Sequence, residues 1–408
     1  MKLLVIFPST QRGGVEEYSL KIASAACHEK WEVHGAFPET AGTASLIKDF
    51  TEKEITYHPL EIAEVSIPSW EEISEKNLGI LSILPSLIVP RLQFDLSKLP
   101  HFLRSLLLLL QIQPDVVMIN LPWPDYGMGS ILACGLLKIP TLVVFQLIPA
   151  PLSLSNIKQK LYTWARKRKQ EWLGVSQNNC QFICESFKIP IDELHCIYNG
   201  AKEFTYKKPE NLIELRTQVR QELGLSATSK IALTVARLSS QKGYDYLIPT
   251  IPHLCKEFPE LKFVWVGDGE QREFLVNLVK EYGVHDRVLF LGHRSDVPRL
   301  LQGADLFVFP THYEGQPFAV LEAMGYGLPV IASATNGIPE VIENHVHGLL
   351  TRTGDSCDLL EAIRWALRNP QAMEAMAKKS QLRVQDFSEE KMIQETLALL
   401  DTMVSRNQ

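Results

Sequence analysis

Two carboxylates, two cations and one short helix start are the parts of this 408-residue chain best placed to act on a common ligand. The stretch from Phe309 to Leu349 reads FPTHYEGQPFAVLEAMGYGLPVIASATNGIPEVIENHVHGL. A strand ends at Phe309 and Glu314-Gly315 opens a loop. Pro317 suits the first turn of a helix running over Phe318 to Met324, where its missing N–H does no harm. The first amides of such a helix have no partner within it and suit a phosphate. Glu314 and Glu322 can each accept two hydroxyl hydrogen bonds, which is how a vicinal diol of a sugar or ribose is held. Carboxylates repel phosphate, so a diphosphate there needs strong cations. Arg237 and Lys242, in ALTVARLSSQKGYD just past a strand, supply a planar fork and a point charge. Near the start of the chain, STQRGGVEEY is a glycine-rich turn from strand to helix. Gly13 and Gly14 lack a Cβ and let the backbone approach a ligand. The pattern is not GxGxxG, and no acidic ribose binder closes a second strand, so a nicotinamide site is weakly supported. His312, His345 and His347 form no metal spacing and read as loop or turn residues.

Short apolar runs alternate with helical patterns and must carry these groups. The strand candidates are Leu3–Phe7, Val33–Phe37, Val116–Asn120, Thr141–Phe145, Trp172–Val175 and His195–Tyr198, then Ile231–Ala236, Lys262–Val266, Val288–Leu291, Leu306–Phe309 and Pro329–Ala332. Most are β-branched and apolar without alternation, as in parallel strands covered on both faces. Helical stretches such as Glu16–His28, Pro100–Gln111, Asp245–Glu257 and Glu270–Tyr282 have crossover length. The expected fold class is α/β, with two facing Rossmann-like parallel-sheet domains. The boundary falls between Asn199 and Ser229. It divides residues 1–205 from residues 206–385. A C-terminal helix within 386–408 crosses back to the first domain, Ser388 being its start signal.

Composition narrows the class. There are 41 Lys and Arg against 47 Asp and Glu, a net charge of −6, which argues against a general nucleic-acid partner. Seven cysteines, with no CxxC pair, read as reduced, mostly buried thiols of a cytosolic protein. MKLLVIFPSTQ is too short for a signal h-region and reads as a first strand. Neither Leu78–Val89 nor Leu106–Leu110 reaches membrane-span length. The leucine cluster reads as core. The basic helix Lys158–Arg168 reads as a solvated face, with anionic lipid or an acidic acceptor as the alternative. The long stretch Ala41–Pro100 holds little motif content.

Taken together, these segments resemble the retaining glycosyltransferases with two facing Rossmann-like domains (GT-B type), specifically the large family 4. The residues that carry the resemblance are Glu314 and Glu322 in E-x7-E spacing, GYGLPVIAS, NGIPEVIENHVHGLL, Arg237, Lys242 and Gly267-Asp268-Gly269. The resemblance implies that Arg237 and Lys242 hold the donor diphosphate and stabilise the leaving nucleotide. Glu314 would contact the transferred sugar beside Gly315, and Glu322 the ribose. Amides at Phe318, Ala319 and Val320 would bind the distal phosphate. Gly292-His293-Arg294 would flank the base, with Gly267 nearby, and Gly13 and Gly14 would meet the diphosphate from the other domain. Asn199-Gly200 matches the family's interdomain turn, and Ser176 a serine near the cleft. Gln146, in TLVVFQLIPAP, stands where many relatives carry a histidine. Asn336 stands where a glycine is common.

The implied activity is hexosyl transfer from a nucleotide-diphosphate sugar, with UDP or GDP as carrier, to a glycan or lipid-linked sugar acceptor. No metal and no further cofactor are expected. Cell-surface polysaccharide or glycolipid assembly is the implied setting, and the expected location is cytoplasmic, with contact at the inner membrane face left open. A nucleotide-sugar epimerase and a non-catalytic nucleotide-sugar binder remain as alternatives on the same fold.

Overall fold

A computed structural model describes residues 1–60, 99–124, 126–202 and 212–406. The strands are β1 Lys2–Ile6, β2 Glu32–Phe37, β3 Thr56–Pro59, β4 Val116–Leu121, β5 Thr141–Phe145, β6 Gln170–Gly174 and β7 Leu194–Cys196. The later ones are β8 Lys230–Val235, β9 Leu261–Val266, β10 Val288–Gly292, β11 Leu306–Phe309, β12 Val330–Ser333 and β13 Leu349–Thr351. They form two sheets, in the orders β3-β2-β1-β4-β5-β6-β7 and β10-β9-β8-β11-β12-β13. Every pairing between named strands is parallel. In each sheet the order reverses beside its first strand, between β1 and β4 and between β8 and β11. Loops leaving such strands open onto a crevice. The Gly13-Gly14 turn follows β1, Arg237 follows β8 and Glu314 follows β11, so all three come from switch points.

Both sheets are packed on two faces. Trp172 lies in the core of the first and Trp265 in that of the second, each at most 1% exposed. Cutting back a buried aromatic of this kind typically costs about 3–5 kcal/mol. The helix Glu389–Ser405 returns to the first sheet. Met392, Leu400 and Met403 enter the core with Leu3, Val5 and Met118, and Tyr18 Oη hydrogen-bonds Thr396 Oγ1 at 3.0 Å. Ser388 caps this helix by accepting the Lys391 amide at 3.1 Å.

Several expectations are corrected. β3 and β13 carry no long apolar run, because β3 is a polar edge strand and β13 has only three residues. The expected helix Asp245–Glu257 is instead Tyr244–Leu247, a 3-10 turn Ile248–Thr250 and Ile251–Glu257. Pro249 and Pro252, which lack amide hydrogens, sit at the start of the second and third pieces. Leu106–Leu110 is not wholly core. Its helix, Leu99–Ile112, buries Leu109 but leaves Leu107 67% exposed, since five consecutive residues go round more than one turn. Only Cys134, Cys180 and Cys255 among the cysteines are buried, and Cys357 is exposed on the first turn of the helix Ser356–Arg368. Of the stretch 41–100, the helix Ala44–Glu52 and β3 are described. Leu78–Val89 lies outside the described residues. No helix among the described residues is long and apolar enough to cross a membrane.

Candidate active site

Lys242 reaches the loop after β11 because two turns are stitched together. It ends the 3-10 turn Ser240–Lys242 and precedes Gly243, whose φ is 66°. A Cβ at Gly243 would stand 1.6 Å from the Pro310 carbonyl oxygen, so only glycine lets the two backbones touch. The Gln241 carbonyl accepts from the His312 amide at 2.8 Å and the Thr311 hydroxyl at 3.0 Å. Gln241 Nε2 donates to the Tyr313 carbonyl at 2.9 Å. Lys242 Nζ thereby pairs with Glu314 Oε1, with side-chain exposures of 14% and 9%. The Thr311 hydroxyl donates to the same carboxylate oxygen at 3.1 Å.

Arg237 leaves β8 on the neighbouring turn, which the Gly267-Asp268-Gly269 turn supports through Leu238 N–H to the Asp268 carbonyl at 3.0 Å. Gly267 lies directly against the Ala236 carbonyl. Arg237 is exposed and makes no hydrogen bond or ion pair among the described residues. Its charge reaches Glu16 and Tyr313. Glu16 sits in the first turn of the helix Gly14–His28 and is 3% exposed. Burial pushes its carboxyl up, against Ser9, the Glu16 and Gly13 backbone and Arg237. Burial also pushes the Tyr313 hydroxyl up, and Glu314 adds to that.

The helix Phe318–Gly325 begins at this cluster. The Val320 amide donates to the Pro317 carbonyl at 3.2 Å, while the Phe318 and Ala319 amides have no acceptor among the described residues. Gly14 packs against the Phe318 ring: a Cβ there would lie 3.4 Å from Phe318 Cδ2. Lys21 Nζ stands 4.6 Å over the Phe318 ring. Gly14 thus meets Phe318, the Lys242–Glu314 pair lies four residues before that helix, and the Arg237 charge reaches Glu16 on the helix that Gly14 begins. Glu322, one helical turn beyond Phe318 and on the same face, lies near Lys21, Glu17 and Glu389. Burial pushes its carboxyl up, the Lys21 charge opposes this, and the two glutamates add to it.

Two expected site residues are corrected. Val320 has its amide taken by Pro317 and its side chain in the core of the second sheet. Arg294 gives its guanidinium to Asp296 and Glu222, each at 2.7 Å, and Arg299 joins the same network. Its side chain is therefore anchored to the helix Leu212–Glu222. His293 is exposed on that turn.

The two halves meet along a polar seam. A Cβ at Gly315 would lie 1.8 Å from the Gln146 carbonyl oxygen, so a glycine is needed where the halves touch. Asn199 Nδ2 donates to Gln146 Oε1 at 3.2 Å and to the Gln316 carbonyl at 2.9 Å. The side-chain amide nitrogens of Gln146 and Gln316 are buried and have no partner among the described residues. Asn336, at φ 45°, accepts from the Glu314 amide at 3.1 Å and donates to Pro149 O and Asn178 Oδ1. Glu340 accepts from the Gln177 and Asn178 amides and the Tyr198 hydroxyl at 2.8–2.9 Å. Ser176 caps that same helix, Gln177–Phe187. Trp123 and Tyr313 meet edge to face across the seam, ring centres 5.8 Å apart.

Glu16, Gln316, Trp123 and the bridging work of Glu340 were not legible beforehand. An acid in a first helical turn is ordinary dipole complementarity, so Glu16 carries no distinguishing signal. The described residues contain no group of three or more His, Cys, Asp or Glu that could hold a metal ion. With two cations, two unsatisfied amides and two carboxylates on these elements, the site suits an anion that bears hydroxyls.

Residues 216–383 match the family model for glycosyl transferases group 1. An uncharacterised glycosyltransferase of Haemophilus influenzae is 32% identical over 173 residues, 42% of this chain and 49% of that protein. The UDP-Gal:alpha-D-GlcNAc-diphosphoundecaprenol alpha-1,3-galactosyltransferase of Escherichia coli is 31% identical over 208 residues, 47% of this chain and 53% of that one. The chain spans about half the length of the curated relatives it matches. HepE of Anabaena, solved in complex with UDP-glucose, superposes with a TM-score of 0.78 at 21% identity, covering 98% of this chain and 100% of that one, which shows a shared fold. The region that carries Arg237, Lys242, Glu314 and Glu322 thus matches the glycosyl transferases group 1 family, on a chain folded throughout like the two-domain GT-B glycosyltransferases.

Proposed function

We propose that the chain moves a hexose from a nucleoside diphosphate sugar to a hydroxyl of a glycan or lipid-linked sugar, with retained anomeric configuration, as a family 4 enzyme. The observation that carries this reading is the Lys242–Glu314 pair just before a helix whose Phe318 and Ala319 amides have no acceptor among the described residues, with Gly14 of the other half against the Phe318 ring. The donor pyrophosphate sits there. Arg237 takes a phosphate as a fork, and Lys242 shares its charge between Glu314 and the other phosphate. Both cations, with the helix dipole, stabilise charge that grows as the C1–O bond breaks. Glu314 holds a sugar hydroxyl through its free oxygen, since Lys242 and Thr311 occupy the other. That engagement disfavours Glu314 as an attacking nucleophile. The acceptor oxygen therefore adds to C1 on the face the diphosphate leaves, and the departing phosphate oxygen takes the acceptor proton. The side-chain amides of Gln146 and Gln316 donate to further sugar hydroxyls. Unlike a histidine at that place, Gln146 does not titrate. Closure of the seam keeps water from the reacting carbon.

The E. coli relative takes UDP-Gal by name and HepE was solved with UDP-glucose, so uridine diphosphate hexoses are the first donors to test. A thermal-shift panel of UDP, GDP and ADP sugars tests the donor. A ligand at a hundred times its Kd raises stability by about 2.7 kcal/mol. No shift with any of them overturns the reading. Binding without turnover across a panel of acceptors points instead to a non-catalytic binder.

A further inference from the structure

Three helices lie side by side on one face of the first sheet: Leu99–Ile112, Met128–Leu137 and Asn156–Arg166. Their inner sides supply Leu109, Ile131 and Tyr162 to the core. They are packed closely enough to form one continuous surface. Ser130 Oγ hydrogen-bonds Ser105 at 2.9 Å and His101 at 3.0 Å. Gly135 lies against Trp164 and Ala165.

The outer side is not dressed for water. Leu103, Leu107 and Leu110 are 49%, 67% and 53% exposed, at the i, i+4, i+7 spacing that forms one stripe. Leu136 at 49% and Trp164 at 36% are exposed on the two neighbouring helices. Single exposed leucines are ordinary, but an apolar stripe with apolar neighbours marks an interaction surface. Its charge is one-sided as well. Neither residues 99–112 nor residues 126–170 contain an Asp or Glu, yet together they carry eight Lys and Arg. Six of these fall between Lys158 and Lys169. Glu193 pairs with Arg166 from outside this face. The Arg168 guanidinium lies 4.4 Å over the Trp164 ring, so the aromatic sits inside the basic rim. All this belongs to a chain whose net charge is −6.

We propose that this three-helix face docks on an anionic lipid bilayer. Leu103, Leu107, Leu110, Leu136 and Trp164 enter the headgroup boundary, and the surrounding lysines and arginines lie on lipid phosphates. Apolar side chains beside a dense run of lysines and arginines match that surface on both counts. Long basic side chains can keep their heads at the phosphates while their stems lie along the apolar stripe. A protein partner of the same surface would need its own run of acids and would leave lipid composition irrelevant.

The test is flotation of the full chain with phosphatidylcholine vesicles, with and without phosphatidylglycerol, in the absence of nucleotide and acceptor. The result is therefore independent of the transfer reading. The protein is expected to float with the anionic vesicles only, and less as salt rises. Leu107→Glu should cut binding about tenfold or more, the equivalent of a 1.4 kcal/mol loss. Lys167→Glu with Lys169→Glu, in the turn after the helix Asn156–Arg166, should also cut it, both variants melting like the parent. The Trp164 emission should shift to the blue on binding, and the shift should vanish in Trp164→Phe. Absence of flotation at low salt overturns the proposal. So does flotation indifferent to Leu107→Glu, which is adhesion by charge alone. A concentration-dependent dimer that Leu107→Glu dissolves, without flotation, assigns the face to a second copy and also overturns it.

Discussion

Two helix starts face the seam between the halves, and they are treated in opposite ways. At Gln177–Phe187 the first amides are filled from within the protein: Glu340 takes Gln177 and Asn178, and Ser176 takes Asn179. At Phe318–Gly325 the first two amides have no acceptor among the described residues, and Gly14 of the other half packs against the Phe318 ring. The dipole and the orphan N–H groups are the same in kind at both ends. A carboxylate tethered to the other half turns one end into a latch. The other is left open, and in the proposed reading it receives the donor's pyrophosphate.

The largest expected effect lies at the open end. Arg237→Ala or Lys242→Ala should lower kcat/KM at least a hundredfold, about 3 kcal/mol of transition-state stabilisation, measured by turnover at subsaturating donor. Full activity in either variant would remove that residue from the site. At the filled end, Glu340→Ala should cost about 2 kcal/mol of stability, because three donors lose a charged acceptor. Denaturant melts would read this, and donor affinity should change little. If Glu340→Ala abolished donor binding as Arg237→Ala should, the two ends would be one site and the contrast would fail. Gly243→Ala sharpens the comparison from the scaffold side. A side chain at φ 66° against Pro310 should cost about 1–3 kcal/mol and uncouple Lys242 from Glu314, weakening donor binding more than Glu340→Ala does.

The smallest effect is a pH dependence. Burial raises the Glu322 carboxyl above its ordinary 4.5, so the folded state favours the neutral acid. That stabilisation is complete below 4.5 and is lost as the pH rises through the raised folded value. Glu322→Gln should therefore melt higher than the parent at neutral pH, with the gap closing as the pH falls. A gap that widens towards acid would mean the carboxylate is stabilised where it sits, by Lys21.

Much of the fold was legible. Unbroken β-branched runs announce central parallel strands, because such strands are covered on both sides. β3 and β13 escaped because an edge strand needs neither length nor apolarity. The prolines at 249 and 252 divide a stretch whose apolar pattern alone reads as one continuous helix. Lys242 and Glu314 were legible as a donor set because each stands at a fixed offset past a strand end. Arg294 stood at a similar offset, and its commitment to Glu222 depends on a helix 72 residues away. The leucine run shows the same limit. Five leucines in a row have no visible periodicity, so only the docked helix separates buried Leu109 from exposed Leu107.

Local chemistry along the chain was enough to determine the two open sheets, the turns at their switch points, and the residue types that can grip a diphosphate. Those features rest on neighbours within a few positions, through side-chain periodicity, turn residues and helix ends. Which carboxylate is buried, which amide stays unpaired and which leucines meet water depend on groups that approach from distant parts of the chain. The tertiary structure alone decided that Glu340 closes one helix start and that the Phe318 and Ala319 amides stay without an acceptor among the described residues.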